Sequence, residues 1–442
     1  MNELRAEAEK IVRRLREGGH EAVFAGGCVR DLLRGVSPHD YDIATSARPS
    51  EVERIFPHSL SVGAHFGVMI VKSGSGAFEV ATFREDGLYL DGRRPEDVRF
   101  SDAQRDAQRR DFTINGLFYD PIEDRVIDYV GGQRDLEGRV LRAIGDAKAR
   151  FSEDHLRLMR AVRFAAVLDF TIEGATWAAL SEAAPSIRHI AEERVRQELV
   201  KTLEHPRRVS GFDLLCESGL MEHILPEIIA LKGCEQPPQF HPEGDVFVHT
   251  RLMLSKLPPE APIALVLAAL LHDIGKPATR CWDPLAQRFR FNEHDKVGAR
   301  MTEAILRRLR FPNLITDAVV EMVGQHMAFM NVQQMRTSKL RRFMARDTFA
   351  HELELHRVDC LGSHGQLDNY EFLEAKLEEF AREPLIPPRL VTGHDLMEVG
   401  IPPGPQLGGL LKEIESRQLE GTLRTKDEAL AWVRGQREQS AI

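Results

Sequence analysis

A change of hydrophobic period near residue 150 constrains this chain more than any other feature. From residue 20 to about 142, short runs rich in Val, Ile and Phe alternate with turn residues, as at Ala22–Ala25, Val68–Lys72 and Ala77–Phe83. That is the pattern of strands in a mixed α/β unit. Beyond Phe151 the period turns helical almost without interruption, and from Asp154 to Leu168 apolar side chains recur at Leu156, Met159, Val162, Phe164 and Val167. A chain of 442 residues exceeds what one hydrophobic core serves, so several domains are expected. Prolines and glycines interrupt the helical pattern between Gln236 and Gly244 and again between Glu383 and Gly409. The expected division is therefore 1–142, 143–235, 236–382 and 383–442. The fold class is α+β, a mixed-sheet unit followed by all-α units.

Composition narrows the function. Apolar residues make up 43% and charged residues 29%, enough apolar surface for real cores and too much for a disordered chain. The N-terminal stretch to Gly19 reads as an amphipathic helix bearing Glu and Arg, without the apolar region of a signal peptide. The longest apolar run, Ile263–Leu271, is far short of the ~20 residues of a membrane span. The expectation is a cytoplasmic protein with no membrane partner. Five cysteines, Cys28, Cys216, Cys234, Cys281 and Cys360, show no paired spacing, which argues against disulfides and thiolate zinc sites. A net charge of −9 opposes nucleic acid as a partner, but phosphate contacts are local, and arginines cluster at 105/109/110 and 157/160/163. Further clusters, at 307/308/310 and 339/341/342, read as solvated helix faces.

Two constellations carry chemistry. In the first, Gly26 and Gly27 follow a strand pattern and precede a helix, so their backbone N–H groups can approach a triphosphate, with Arg30 close behind. Asp40-Tyr41-Asp42 comes next, and strand alternation sets both carboxylates on one face. Two like charges facing one way call for a cation, and such oxygen ligands suit Mg²⁺. Glu79, on a later strand, is a third carboxylate for the same place.

The set of GGxVRD at 26–31, the Asp40/Asp42 pair, RRDFTIN at 109–115, Glu153-Asp154-x-x-Arg157 and Glu193-Arg194 resembles the class II tRNA nucleotidyltransferases, a family whose motifs bacterial poly(A) polymerases share. DYVGGQRDL at 128–136 extends the resemblance, which covers about the first half of the chain. Gly116 and Ala147 depart from its usual pattern. The resemblance implies a polymerase-β-like head followed by a helical neck and body. It further implies that Asp40, Asp42 and Glu79 are catalytic, with Mg²⁺ on Asp40 and Asp42. Arg110, Asp111, Asn115, Asp154, Arg157 and Arg160 would join Gly26, Gly27 and Arg30 in binding nucleotide, and Arg194 would bind tRNA.

The implied partners are tRNA, CTP and ATP. Residues three apart on a helix share a face, so Asp154 and Arg157 can offer one acceptor and one donor to a base edge. Cytosine and adenine both present an amine beside an unprotonated ring nitrogen, whereas uracil and guanine invert the pair. The implied activity is CCA addition. Addition of A alone, or of poly(A), remains open, as does a phosphohydrolase whose head merely binds RNA. Asp86–Pro95 reads as a mobile loop, and Gly63–Val68 resembles tRNA-adding members more than poly(A) polymerases.

The second constellation, His249, His272-Asp273, His294, His326 and Asp359, stands in the order of HD phosphohydrolases, with Ile274-Gly275-Lys276 completing the match. His249, His272, Asp273 and Asp359 form the minimal ligand set, and His294 and His326 are added to it. This N/O set suits Mn²⁺, Ni²⁺, Fe²⁺ or Mg²⁺ better than structural zinc. The implied reaction is hydrolysis of a phosphoester.

Overall fold

A computed structural model describes residues 3–63, 67–87, 98–239, 241–381 and 383–440. The loop expected at Asp86–Pro95 lies outside the described residues from Leu88 on, as do Ala64–Phe66. The chain forms two compact units, Met1–Ile229 and Ala230–Ile442.

The first unit begins with α1 (Glu3–Glu17), β1 (Ala22–Ala25), α2 (Gly27–Leu33), β2 (Ile43–Thr45), α3 (Pro49–Ile55), β3 (Leu60–Gly63), β4 (Val68–Ser73) and β5 (Gly76–Thr82). It continues through β6 (Arg84–Asp86), β7 (Val98–Phe100), α4 (Ala103–Gln108), β8 (Leu117–Asp120), β9 (Arg125–Asp128), α5 (Gly132–Glu137) and β10 (Val140–Leu141). The largest sheet has the order β3-β4-β5-β2-β1-β8-β9 and is mixed, because β2 and β5 run parallel while their neighbours pair antiparallel.

Alternation decides the face each side chain takes. Phe24 and Ile43 pack with Ile11, Val12 and Leu15 of α1 and Val29 of α2. On the other face Val23, Ala25 and Ala44 pack with Phe83, Ala103, Ala107 and Phe118. A strand covered on both sides has no polar face to keep, which is why β1 reads as an unbroken apolar run.

Helices then take over: α6 (Ala147–Glu153), α7 (Leu156–Leu168), the short β11 (Thr171–Ile172), α8 (Gly174–Ala183), α9 (Glu192–Leu203), α10 (Arg208–Glu217), α11 (Leu220–Ile224) and α12 (Pro226–Ile229). The helix expected from Asp154 starts only at Leu156. Asp154 is extended, at φ −137 and ψ 103, and its Oδ1 accepts the Leu156 N–H at 3.0 Å. A short carboxylate satisfies an orphan donor at a helix start better from outside the helix than from within it.

The second unit contains α13 (Val246–Lys256), α14 (Ile263–Leu271), α15 (Lys276–Thr279), the hairpin β12 (Arg280–Asp283) and β13 (Arg288–Phe291), α16 (His294–Arg308) and α17 (Asn313–Gln325). After these come α18 (Thr337–Met344), α19 (Phe349–Gly362), α20 (Asp368–Phe380), α21 (Gly393–Glu398), α22 (Pro405–Leu419) and α23 (Lys426–Ser440). Every residue of α14 from Leu265 to Leu271 is buried, against α13, α17 and α19. The proline-rich stretch from Glu383 is less broken than its composition predicts. Thr392 caps α21, and Pro405 sits in the first turn of α22, where a missing N–H costs nothing. Gln236–Gly244 is not an open linker either: Gln236 N–H bonds the Gly244 carbonyl, and Val246 N–H bonds that of Cys234. Among the described residues no helix is long and apolar enough to cross a membrane.

Candidate active site and metal centre

In the first unit a cavity of about 530 Å³ gathers most of the predicted residues. Gly26 and Gly27 come from the β1–α2 turn, Arg30 from α2, and Asp40 and Asp42 from the segment leading into β2. Arg109, Arg110, Asp111 and Asn115 come from between α4 and β8; Asp154 comes from the α6–α7 corner, and Arg157, Arg160 and Phe164 come from α7.

Asp40 and Asp42 precede the regular strand, yet the Ala25 N–H bonds the Asp42 carbonyl at 2.9 Å, so the chain is already paired there. Tyr41 between them is buried in the core against Phe24, which leaves both carboxylates on the cavity side. The Asp42 carboxyl is pushed up to about 6, first by burial and then by the charges of Asp40 and Glu79. A carboxylate cluster that resists its own ionisation is short of positive charge, and a divalent cation fits that deficit. Glu79, exposed on β5 beside β2, does not line the cavity; it acts on Asp42 through its charge.

Gly26 is required by geometry. It has φ +73, and a Cβ there would lie 2.8 Å from Nη1 of Arg110. Arg109 and Arg110 both rest on buried Asp106, whose carboxyl they hold below the usual range against the opposing effect of burial.

Asp111 organises the opposite wall. Burial would raise its carboxyl, but Arg160, Asn115 and the Phe112 N–H together lower it to about 2. Asn115 in turn accepts from Arg30 at 2.8 Å. Arg157 is buried, and its Nη1 donates to Glu153 Oε2 at 2.5 Å and to the Arg150 carbonyl at 2.9 Å. Nη2 donates to the Arg109 carbonyl at 3.1 Å. Asp154 shares the cavity with Arg157 but not a helix face, so their pairing depends on the α6–α7 corner rather than on i, i+3 spacing. Arg194, on α9, stands behind Asp154, donating to its Oδ2 at 3.3 Å, and does not line the cavity. Sequence reasoning assigned no site role to Phe164, which is core-spaced on α7 yet lines the cavity with Arg30, Arg160 and Arg163 over its ring.

The second unit brings its predicted ligands to one place. His249 comes from α13, His272 and Asp273 from the end of α14, His294 from the first position of α16, His326 from the end of α17 and Asp359 from α19. Asp273 is central. His249 and His272 direct Nε2 to its Oδ2 at 3.9 and 3.1 Å, and His294 and His326 direct Nε2 to its Oδ1 at 3.4 and 3.9 Å. Asp359 Oδ1 lies 3.1 Å from His249 Nε2.

The Nδ1 atoms face acceptors: the carbonyls of Ala269, Phe291 and Val323 for His272, His294 and His326. With Nδ1 protonated, each neutral imidazole turns a bare Nε2 inward. Nε2 of His294 and His326 then face each other at 3.1 Å, and those of His249 and His272 have no hydrogen-bond partner. Converging lone pairs and carboxylates fit divalent cations. Burial, then the neighbouring His272 and His294, push His326 down to about 4 and keep it neutral. Opposing burial, Asp359 and Glu243 raise His249 to about 10, another mark of missing positive charge.

Four further residues belong here. Lys276 Nζ lies 2.6 Å from Asp273 Oδ2 and donates to Gln236 Oε1 at 2.5 Å, while Gln236 is buried with Nε2 unpartnered. His241 and Glu243 reach His249 from the same segment. Its Pro and Gly content reads as a chain break, and HPEGD offered no ligand spacing to set against that.

Family models match three segments of the chain: a poly A polymerase head domain at residues 22–142, a probable RNA and SrmB- binding site of polymerase A at 169–231, and an HD domain at 245–355. The CCA-adding enzyme of Lactobacillus johnsonii is 31% identical over 421 residues, 95% of this chain and 94% of its own length. That of Lactococcus lactis subsp. cremoris is 32% identical over 431 residues, 96% of this chain and 94% of its own. The Bacillus stearothermophilus CCA-adding enzyme, solved in complex with CTP, superposes with a TM-score of 0.77 at 27% identity, covering 100% of this chain and 99% of that one. With nearly full-length identity above 30%, and with the head, RNA-binding and HD segments in that order, this chain belongs to the family of CCA-adding enzymes.

Proposed function

We propose that this protein adds CCA to the 3′ end of tRNA from CTP and ATP without a nucleic-acid template. The observation that carries the reading is one cavity with the Asp40/Asp42 pair on one side and Asp154, Arg157 and Arg160 on the other. The tRNA 3′-hydroxyl attacks the α-phosphate, an O–P bond forms, and pyrophosphate leaves. Asp40 and Asp42 would hold Mg²⁺, which when bound supplies charge stabilisation to the triphosphate and lowers the pKa of the hydroxyl. Glu79 adds negative charge behind Asp42.

Arg110, fixed by Asp106, and Arg30, fixed by Asn115, offer cationic donors toward phosphate oxygens, and the β1–α2 turn at Gly26 and Gly27 lets the backbone come close. Asp154 and Arg157 read the base edge. Arg157 spends three N–H groups on Glu153, Arg150 and Arg109, which holds its plane and leaves Nε–H and one Nη2–H to donate. Asp111 positions Arg160, and Arg194 positions Asp154 and, beside it, serves tRNA. The assignment places the head at 1–142, the neck and body after it, and the enzyme in the cytoplasm.

The test is incorporation of labelled CTP and ATP, singly and together with Mg²⁺, into tRNA transcripts ending at the discriminator base, at C and at CC. CCA addition to the shortest transcript is expected. A addition to the CC end alone selects an A-adding enzyme, and untemplated runs of A select a poly(A) polymerase. Loss of incorporation in Asp42→Ala, with the thermal midpoint retained, is the matching result for the site.

A second activity rests on the converging Nε2 atoms of the second unit. Its residues would hold one or two Mn²⁺, Ni²⁺ or Mg²⁺ ions and hydrolyse a phosphoester. Release of phosphate from terminal or cyclic phosphate esters on RNA, assayed with each metal, tests it.

A further inference from the structure

The four histidines of the HD centre are not held alike. His272, His294 and His326 each direct Nδ1 at a backbone carbonyl within their own stretch of chain. His249 directs Nδ1 at Glu243 Oε1, 2.8 Å away, with the Gly362 carbonyl behind at 3.4 Å. Both are acceptors, so Nδ1 carries a proton whichever dominates, and Nε2 faces Asp273 and Asp359. The Glu243 side chain is only 5% exposed and that of His249 is fully buried. Glu243 Oε1 also accepts from His241 Nδ1 at 2.9 Å, and the His241 ring stands edge-on to His249 at 4.9 Å between centroids.

We propose that Glu243 is a positioning residue for the HD metal centre. It orients His249, fixes its tautomer and strengthens it as a donor, while His241 completes the arrangement by donating to the same carboxylate oxygen. The proposal rests on reading this centre as a metal site. A charged acceptor polarises the imidazole N–H more than a carbonyl does, so Nε2 becomes the better ligand; such outer partners commonly govern affinity as strongly as orientation. His249 needs this support because it sits on α13, and its partners Asp273 and Asp359 come from other helices. A wrongly turned ring would present Nδ1–H, a donor, where a lone pair is wanted. The chain places Glu243 only six positions before His249, so the turn at His241–Gly244 and the cap of α13 by Asp245 set the carboxylate's approach.

The experiment is calorimetric titration of Mn²⁺ into the full chain carrying Asp40→Ala and Asp42→Ala, which removes the head's carboxylate pair. Three forms are compared: Glu243 intact, Glu243→Gln and Glu243→Ala. Glu243→Ala should weaken Mn²⁺ binding roughly 10- to 100-fold. Glu243→Gln, whose amide oxygen still accepts from Nδ1–H, should recover most of that loss. The metal-free thermal midpoint is measured beside it. A merely structural Glu243 would lower that midpoint in both variants and leave the folded protein's Mn²⁺ affinity unchanged, and this overturns the proposal. Absence of Mn²⁺ binding with Glu243 intact would overturn the metal reading itself, whereas equal binding by all three forms overturns only the role of Glu243.

Discussion

At the scale of single residues, the cavity of the first unit is organised by charges whose partners can be counted. Asp111 folds with a carboxyl at about 2, so its contribution to stability is fully present above the unfolded value near 4 and is lost as pH falls through about 2. The shift corresponds to about 2 kcal/mol, disappearing between about pH 5 and pH 1. Asp111→Asn should therefore destabilise the first unit near neutrality, and its gap from the wild type should narrow by about 1 kcal/mol between pH 6 and pH 3. Urea unfolding at the two pH values measures this, and a gap independent of pH would show that Arg160 gains nothing from the charge. Base choice is the other residue-scale property. Replacing Arg157 by Lys removes the fixed plane set by Glu153, Arg150 and Arg109, and should reduce discrimination of C and A against U and G by about 1–3 kcal/mol, roughly 5- to 150-fold. Competing nucleotides in single-turnover incorporation report it. Asp40, Asp42, Asp111 and Arg160 were legible because each is a charged residue inside a spaced motif. Phe164 was not, since an aromatic at helical spacing looks the same whether it faces a core or a substrate.

At the scale of elements, the sites depend on how closely helices approach. Gly275, between His272-Asp273 and α15, is in contact with the start of α16: a Cβ there would lie 2.2 Å from the His294 carbonyl and 2.7 Å from the Gly298 nitrogen. Gly275→Ala must push α16 away and carry His294 with it. We expect a loss of at least 1–3 kcal/mol in the second unit and weaker Mn²⁺ binding, with CTP binding by the first unit unaffected. Thermal unfolding and the two titrations check this; undisturbed Mn²⁺ binding would mean that α16 can shift without moving its ligand. The α6–α7 corner makes the same point for the first unit. Periodicity carries α7 back to Asp154, but a capping carboxylate ends the regular helix at Leu156, and that corner gives Asp154 its place beside Arg157. Periodicity registers apolar spacing and is blind to a cap that substitutes a side-chain oxygen for a backbone partner.

At the scale of the whole molecule, the nucleotide cavity lies within one compact unit and the histidine–carboxylate centre within the other. Each ligand should therefore stabilise its own unit. In calorimetry of the full chain, CTP added at constant Mg²⁺ should raise one unfolding transition, and Mn²⁺ added to the chain carrying Asp40→Ala and Asp42→Ala should raise the other. At a hundredfold excess over Kd each effect is about 2.7 kcal/mol, roughly 5–10 °C for units of this size. A single transition raised by both ligands would show that the units unfold as one. The sequence by itself determined the order of strand-rich and helical parts, the identity of nearly every charged group in both sites and the chemistry those groups favour, because these depend on residue type and local spacing. Only the tertiary structure decided that Glu79 acts from outside the cavity, that Asp154 meets Arg157 across a corner, and that His241 and Glu243 stand behind His249. Those relations depend on how the chain turns, between β2 and β5, at the α6–α7 corner and before α13, and motif spacing does not record the direction of a turn.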